Sequence, residues 1–191
     1  MNSGLACVKK SPSTDRRNSP VALERFAASW RESYVTSAEA ASNARGATEC
    51  VFCQLGALAP SEDSGVLWRD DLSFVTLNAF PYGSGHLLVL PRRHVGGLAD
   101  LGEEEYASFF WALRRTVSAL EETYHADGMN VGMNLGQAAG AGIPQHLHAH
   151  ALPRWNGDTN FMTSIGETRV LPESLASTWR KVVARLGSEF E

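Results

Sequence analysis

Three histidines at alternating positions dominate the sequence: Gln145-His146-Leu147-His148-Ala149-His150-Ala151-Leu152-Pro153-Arg154. Successive side chains of a strand point to opposite faces. A period of two therefore puts Leu147, Ala149 and Ala151 on one face and the three imidazoles on the other. This predicts a strand whose apolar face is buried. Three adjacent imidazoles do nothing useful for a core, because they compete for partners and repel when charged. Ordinary polar strand faces use Thr, Ser, Lys or Glu. The pattern suits a site that handles protons, anions or a metal.

The rest of the chain reads as one α+β domain built around that strand. At 191 residues it is long enough for a single sizeable core. Residues 1–20 carry Lys9, Lys10, Arg16 and Arg17 against Asp15 and are expected to be a disordered tail. Residues 21–48 form an N-terminal segment and linker. They hold a possible helix within 21–42 (Leu23, Phe26, Ala27, Trp30, Tyr34) and a linker from Asn43 to Thr48. The folded domain is expected over 49–187. Within it, Val66–Trp68 and Phe74–Leu77 read as strands around an Asp70-Asp71 turn. Pro81-Tyr82-Gly83-Ser84-Gly85 reads as a tight turn before a strand from His86 to Leu90. Residues 103–124 place Tyr106, Phe109, Phe110, Leu113, Val117, Leu120 and Tyr124 on one helical stripe. A strand over Asn130–Leu135, a small-residue loop over Gly136–Gly142 and a last helix from Pro172 to Leu186 complete the order.

Composition excludes some functions. A net charge of −4 gives no global attraction to nucleic acid. No apolar run has the length of a membrane span and no signal-like stretch opens the chain, so no membrane partner is expected. Three cysteines, Cys7, Cys50 and Cys53, form no even disulfide framework. They point to a reducing, cytoplasmic location.

The loop before the histidines contains Gly136, Gly140 and Gly142, where backbone amides could approach an anion closely. Arg154 would add charge. A histidine can attack phosphorus as a neutral imidazole if its other nitrogen donates to a fixed acceptor, such as a strand carbonyl. This favours the middle residue, His148. The outer two would hold phosphate oxygens, protonate a leaving group or bind metal. Cys50-Val51-Phe52-Cys53 fits a redox pair, half a zinc site, or two small buried residues. His94 and one end of the histidine strand are the candidates to complete a zinc site. His86 reads as an anchor for its glycine turn and His125 as a helix-end residue. Trp155 fits core or base stacking equally. Asp158 and Asn160 fit turn capping or ligand contact equally. Cys7 is expected to be inert.

His146-Leu147-His148-Ala149-His150-Ala151-Leu152 resembles the histidine triad motif, His-x-His-x-His followed by two apolar residues. Leu77-Asn78-Ala79-Phe80-Pro81 and Gly85-His86-Leu87-Leu88-Val89-Leu90-Pro91 resemble the nucleotide-binding segment of the histidine triad (HIT) superfamily. Cys50, Cys53 and Arg93-His94 resemble its zinc-bearing branch. The resemblance covers roughly residues 49–162. It implies a five-stranded antiparallel sheet with two packed helices, dimerising into a continuous sheet across a homodimer. His148 would take up a nucleoside monophosphate and His150 would sit near the α-phosphate as its catalytic partner. His146, Cys50, Cys53 and His94 would hold a structural zinc, with no organic cofactor. Asn78 matches a ribose contact and Asn134 a residue beside the phosphate. Gly140, Gly142, His150, Arg154 and Trp155 complete the expected nucleotide and phosphate contacts.

Pro153-Arg154-Trp155 and Gly157-Asp158-Thr159-Asn160-Phe161 resemble a branch that includes bacterial diadenosine tetraphosphate phosphorylases. Trp30-Arg31 and Tyr34 are similar to an upstream segment of such proteins. Gly142 departs from the family, since many hydrolase members carry Gln there and the phosphorylase-like branch often carries Ser. The implied activity is cleavage of a dinucleoside polyphosphate through a nucleotidyl-histidine, with phosphate as acceptor. A hydrolase of dinucleoside polyphosphates or of phosphoramidates and adenylyl conjugates is the near alternative. A nucleotide-binding regulatory protein is the more distant one. A catalytic zinc hydrolase is disfavoured, because a Cys2His2 set leaves no open metal position.

Overall fold

The computed structural model describes residues 50–159 and 173–190. Its elements are α1 (Val51–Ala57), β1 (Val66–Arg69), β2 (Ser73–Leu77), β3 (Leu87–Pro91), α2 (Glu103–Tyr124), β4 (Gly128–Met133), β5 (Ala149–Arg154) and α3 (Leu175–Phe190). The expectations for residues 1–48, for Cys7, for Asn160 and Phe161 and for a helix start at Pro172 lie outside the described residues.

The five strands make one sheet in the order β1-β2-β3-β5-β4, and every neighbouring pair is antiparallel. β3 occupies the middle because Leu87-Leu88-Val89-Leu90-Pro91 is apolar on both faces, and all five residues are buried. Its odd face joins Val75, Leu147, Ala149 and Ala151 against Phe109, Ala112, Leu113 and Leu120 of α2 and Val182 and Leu186 of α3. Its even face, Leu88 and Leu90, packs with Phe74, Cys50 and Phe52. Two helices thus cover one side of the sheet and α1 covers part of the other.

That third helix was not expected from the sequence. It is seven residues long and too short to show an amphipathic period, so tertiary packing holds it. Gly56 lets it lie close to the sheet, since a Cβ there would sit 3.0 Å from Phe74 Cε1. The α2 boundaries match the sequence expectation. Glu105 accepts the Gly102 N–H at 2.9 Å and grips Arg93 through two contacts of 2.6 Å, which caps the first turn. At the other end His125 takes the left-handed conformation and donates its N–H to Glu121 O. β4 begins two residues earlier than expected.

Only His150 of the three histidines lies inside the ladder. The β3–β5 pairing runs Leu87↔Ala151, Leu88↔His150, Val89↔Ala149 and stops. Pro91, at the end of β3, has no N–H to donate, so the ladder cannot continue. Leu147 instead donates to Val95 O at 2.6 Å. The expected strand is therefore a short strand with an extended lead-in that carries His146 and His148.

The Pro81–Gly85 turn brings the chain into β3. Gly85 has φ +75°, and a Cβ there would meet Pro153 Cγ at 2.7 Å and Tyr124 Cε2 at 2.8 Å. Replacing Gly85 with Ala adds left-handed strain to a steric clash. The expected outcome is a loss of about 3 kcal/mol, read as a lower urea midpoint at unchanged m-value.

Candidate functional site

The histidine face of β5 and its lead-in divides into two adjoining centres. In the first, Cys50 at the start of α1, Cys53 in its first turn, His94 after β3 and His146 converge. One donor atom from each lies within 4.8 Å of every other. His146 Nε2 donates to Pro91 O at 2.8 Å, which leaves the Nδ1 lone pair facing both sulfurs at 3.5 Å. His94 Nδ1 lies 3.2 Å from Cys53 Sγ. Tetrahedral zinc, with Zn–S near ~2.3 Å and Zn–N near ~2.0 Å, needs an S···N edge of about 3.5 Å. The donor types and their spacing fit that ion. Burial and the neighbouring Cys50 push the Cys53 thiol up to about 11. A bound dication offsets both effects.

The second centre is a chain of hydrogen bonds that fixes imidazole protons. His148 Nδ1 donates to His146 O at 2.9 Å, so its Nε2 carries the lone pair. Tyr82 N–H donates to His86 Nδ1 at 2.9 Å, so the His86 proton sits on Nε2. That proton faces His150 Nδ1 at 2.9 Å. The neutral His150 ring must then carry its own proton on Nε2. This atom is buried and has no hydrogen-bond partner among the described residues. The site therefore holds a lone pair on one imidazole and an N–H on the next, with ring centroids 5.1 Å apart.

Burial disfavours the charged form of His148 and His150. It lowers His148 below the ordinary histidine range, against the hydrogen bond to His146 O. Burial, with the neighbouring His148, lowers His150 to about 4. Phe52 closes the face, its ring 5.6 Å from His146 and 5.2 Å from His148. Tyr82 lies nearly parallel to His150, at 21° and 5.7 Å.

The remaining expected contacts are placed less directly. Asn78 Oδ1 accepts the Phe80 N–H at 2.9 Å and its amide lies against the His86 ring, so it shapes the turn beside the site. Gly136 and Gly140 both take positive φ. The amides of Ala139, Gly140 and Ala141 are spent on Gly136 O and Gln137 O within the loop. Gly142 lies at the end of this loop that leads into the histidines. Asn134 follows β4 at the start of this loop and is half-buried.

Arg154 lies six residues past His148, about 20 Å along an extended chain. Its guanidinium is engaged by Asp158 at 2.6 Å, Asn130 at 2.6 Å and Thr159 at 2.9 Å. Trp155 packs edge to face on Tyr124 of α2, on the other side of the sheet. The partners that the structure gives Arg154 and Trp155 are thus Asp158, Asn130, Thr159 and Tyr124.

Sequence reasoning took His86 only as a turn anchor. It does hold the turn through Tyr82, and it also sets the His150 proton. The missing information was register: once Leu88 pairs with His150, His86 and His150 share a face as diagonal neighbours. Phe52 and Tyr82 were missed for the same reason, since no local signal ties them to the histidines.

The family model for the HIT domain matches residues 59–157, just over half of the chain. An "AP-4-A phosphorylase" of Mycobacterium tuberculosis is 40% identical over 119 residues, covering 62% of this chain and 61% of the relative. The chain thus spans about three fifths of that relative's length. A "Bis(5'-nucleosyl)-tetraphosphatase [asymmetrical]" of Schizosaccharomyces pombe is 36% identical over 50% of this chain and 52% of its own. Among solved structures, a zinc-bound histidine triad family protein from Mycobacterium smegmatis superposes with a TM-score of 0.60 at 32% identity. The match covers 75% of this chain and 96% of that one.

Two outcomes follow from the electrostatics and the donor set. Elemental analysis of purified protein is expected to find one zinc per chain, and Cys53→Ser to lose it; full zinc retention by that variant would contradict the ligand set. The unfolded His150 side chain titrates near ~6.5 and the folded one near about 4. Between these values the unfolded chain binds more protons, so acidification destabilises. The His150 contribution is fully present above ~6.5 and lost as pH falls toward about 4. Thermal midpoints of His150→Gln should fall less steeply across that window than those of the wild type.

Proposed function

Since the chain belongs to the HIT domain family, we propose that it is a nucleotidyl transferase that splits a dinucleoside polyphosphate, with inorganic phosphate as the favoured acceptor. One observation carries the chemistry: the His146 carbonyl holds the proton of His148 on Nδ1 and leaves Nε2 with a lone pair. His148 Nε2 attacks the α-phosphorus of a substrate such as diadenosine tetraphosphate. The bond from that phosphorus to the bridging oxygen breaks as the nitrogen–phosphorus bond forms. His150 Nε2–H keeps its proton and hydrogen-bonds to the departing oxygen, stabilising the charge that develops there, while His86 lies on the far side of its ring. ATP leaves and the adenylyl group stays on His148. Phosphate then attacks that phosphorus to give ADP, whereas water would give AMP. The small-residue loop ending at Gly142 supports the phosphoryl oxygens through its backbone.

Cys50, Cys53, His94 and His146 would hold zinc, which supplies a fixed anchor for the strand lead-in and no reacting group. The phosphorylase reading is supported by the named activity of the mycobacterial relative and by Pro153-Arg154-Trp155 after the histidines. A homodimer is part of the proposal. β4 is an edge strand with Val131 exposed, and a second copy would continue the sheet there. The thiol pair suits a reducing compartment such as the cytoplasm.

Product analysis of diadenosine tetraphosphate turnover tests the reading. ADP and ATP are expected, and only when phosphate is present. AMP and ATP regardless of phosphate would make the protein a hydrolase. His148→Ala should retain nucleotide binding and lose turnover by about 10³-fold or more. Unchanged turnover in that variant would refute the nucleophile.

A further inference from the structure

The Asn78–His86 turn presents two aromatic rings that the chemistry at His148 does not use. Phe80 is 80% exposed and Tyr82 50% exposed, beside a site whose other aromatic, Phe52, is buried. The main chain beneath both rings is held by local hydrogen bonds. The Phe80 N–H is held by Asn78 Oδ1 at 2.9 Å, and the Tyr82 N–H by His86 Nδ1 at 2.9 Å. Tyr82 packs on His86 with centroids 4.6 Å apart and lies nearly parallel to His150.

Direction follows from the order of the rings. His148 holds the attacking lone pair, and His150 holds the N–H that hydrogen-bonds to the departing oxygen. Tyr82 is stacked on His150, with Phe80 two residues away on the same turn. A polyphosphate that runs from the phosphorus at His148 past His150 is carried toward this turn. An exposed ring on a pinned backbone is a low-entropy surface for a flat, apolar partner. A nucleobase is such a partner, because every base has a face that stacks on an aromatic side chain.

We propose that Phe80, with Tyr82 on the same turn, forms the subsite for the distal nucleoside, the one that departs with the leaving polyphosphate. The proposal rests on the dinucleoside polyphosphate reading above. It adds a specificity rule: the turn favours substrates with a base at both ends of the phosphate chain over those with one.

The test compares diadenosine tetraphosphate with adenosine 5′-tetraphosphate, which has the same adenylyl group and phosphate chain and no second nucleoside. In the full-length protein, Phe80→Ala should lower kcat/KM for the dinucleotide about tenfold, an effect of the size expected for one lost base stack. It should leave the mononucleotide unchanged, and Phe80→Trp should keep the wild-type ratio. A general structural defect would lower both substrates together. Equal losses on both, or no loss on either, would overturn the distal subsite while leaving the reaction intact. Wild-type protein that splits neither substrate would overturn the underlying reading, and the subsite with it.

Discussion

The hydrogen bond from His148 Nδ1 to the His146 carbonyl is the constraint on which the site depends. A neutral imidazole has one proton to share between two nitrogens, and burial here disfavours carrying two. Once a backbone carbonyl claims Nδ1, the lone pair has to be on Nε2. A backbone amide does the converse at His86, where the Tyr82 N–H occupies Nδ1 and drives the proton to Nε2. The His86–His150 contact passes that choice on. The lone pair of His148 and the free N–H of His150 thus trace back to main-chain groups.

The same economy explains why the sheet ends where it does. Pro91 closes β3 without an N–H, so the ladder to β5 stops after Val89↔Ala149. The Pro91 carbonyl is then available to the buried His146 Nε2, which turns Nδ1 toward the two cysteines. One proline both releases the lead-in from regular pairing and turns the His146 ring toward the thiols. His146 consequently serves both centres: its ring faces the thiols and its carbonyl holds His148.

Much of this was legible in the sequence because it is periodic or local. The alternation of Leu147, Ala149 and Ala151 with three histidines gave the faces. The stripe from Tyr106 to Tyr124 gave α2, and Cys50-x-x-Cys53 with His94 gave a ligand set that the fold brings together within 4.8 Å. What was not legible depends on register and on short elements. The helix α1 has no room for a period, so its seven residues gave no signal. His86 looked like a turn residue because its second partner is 64 positions away. Arg154 and Trp155 were expected as ligand contacts from the resemblance, with core packing an equal reading for Trp155. Their partners among the described residues, Asp158 for Arg154 and Tyr124 for Trp155, depend on the fold rather than on local pattern.

The most direct test of this account is the tautomer of each imidazole in the intact protein at neutral pH, read from two-bond proton–nitrogen correlations of the histidine rings. The account predicts His148 neutral with its proton on Nδ1 and His150 neutral with its proton on Nε2. A His148 ring protonated on Nε2, or doubly protonated at pH 7, would leave no lone pair where the reaction needs one and would contradict it.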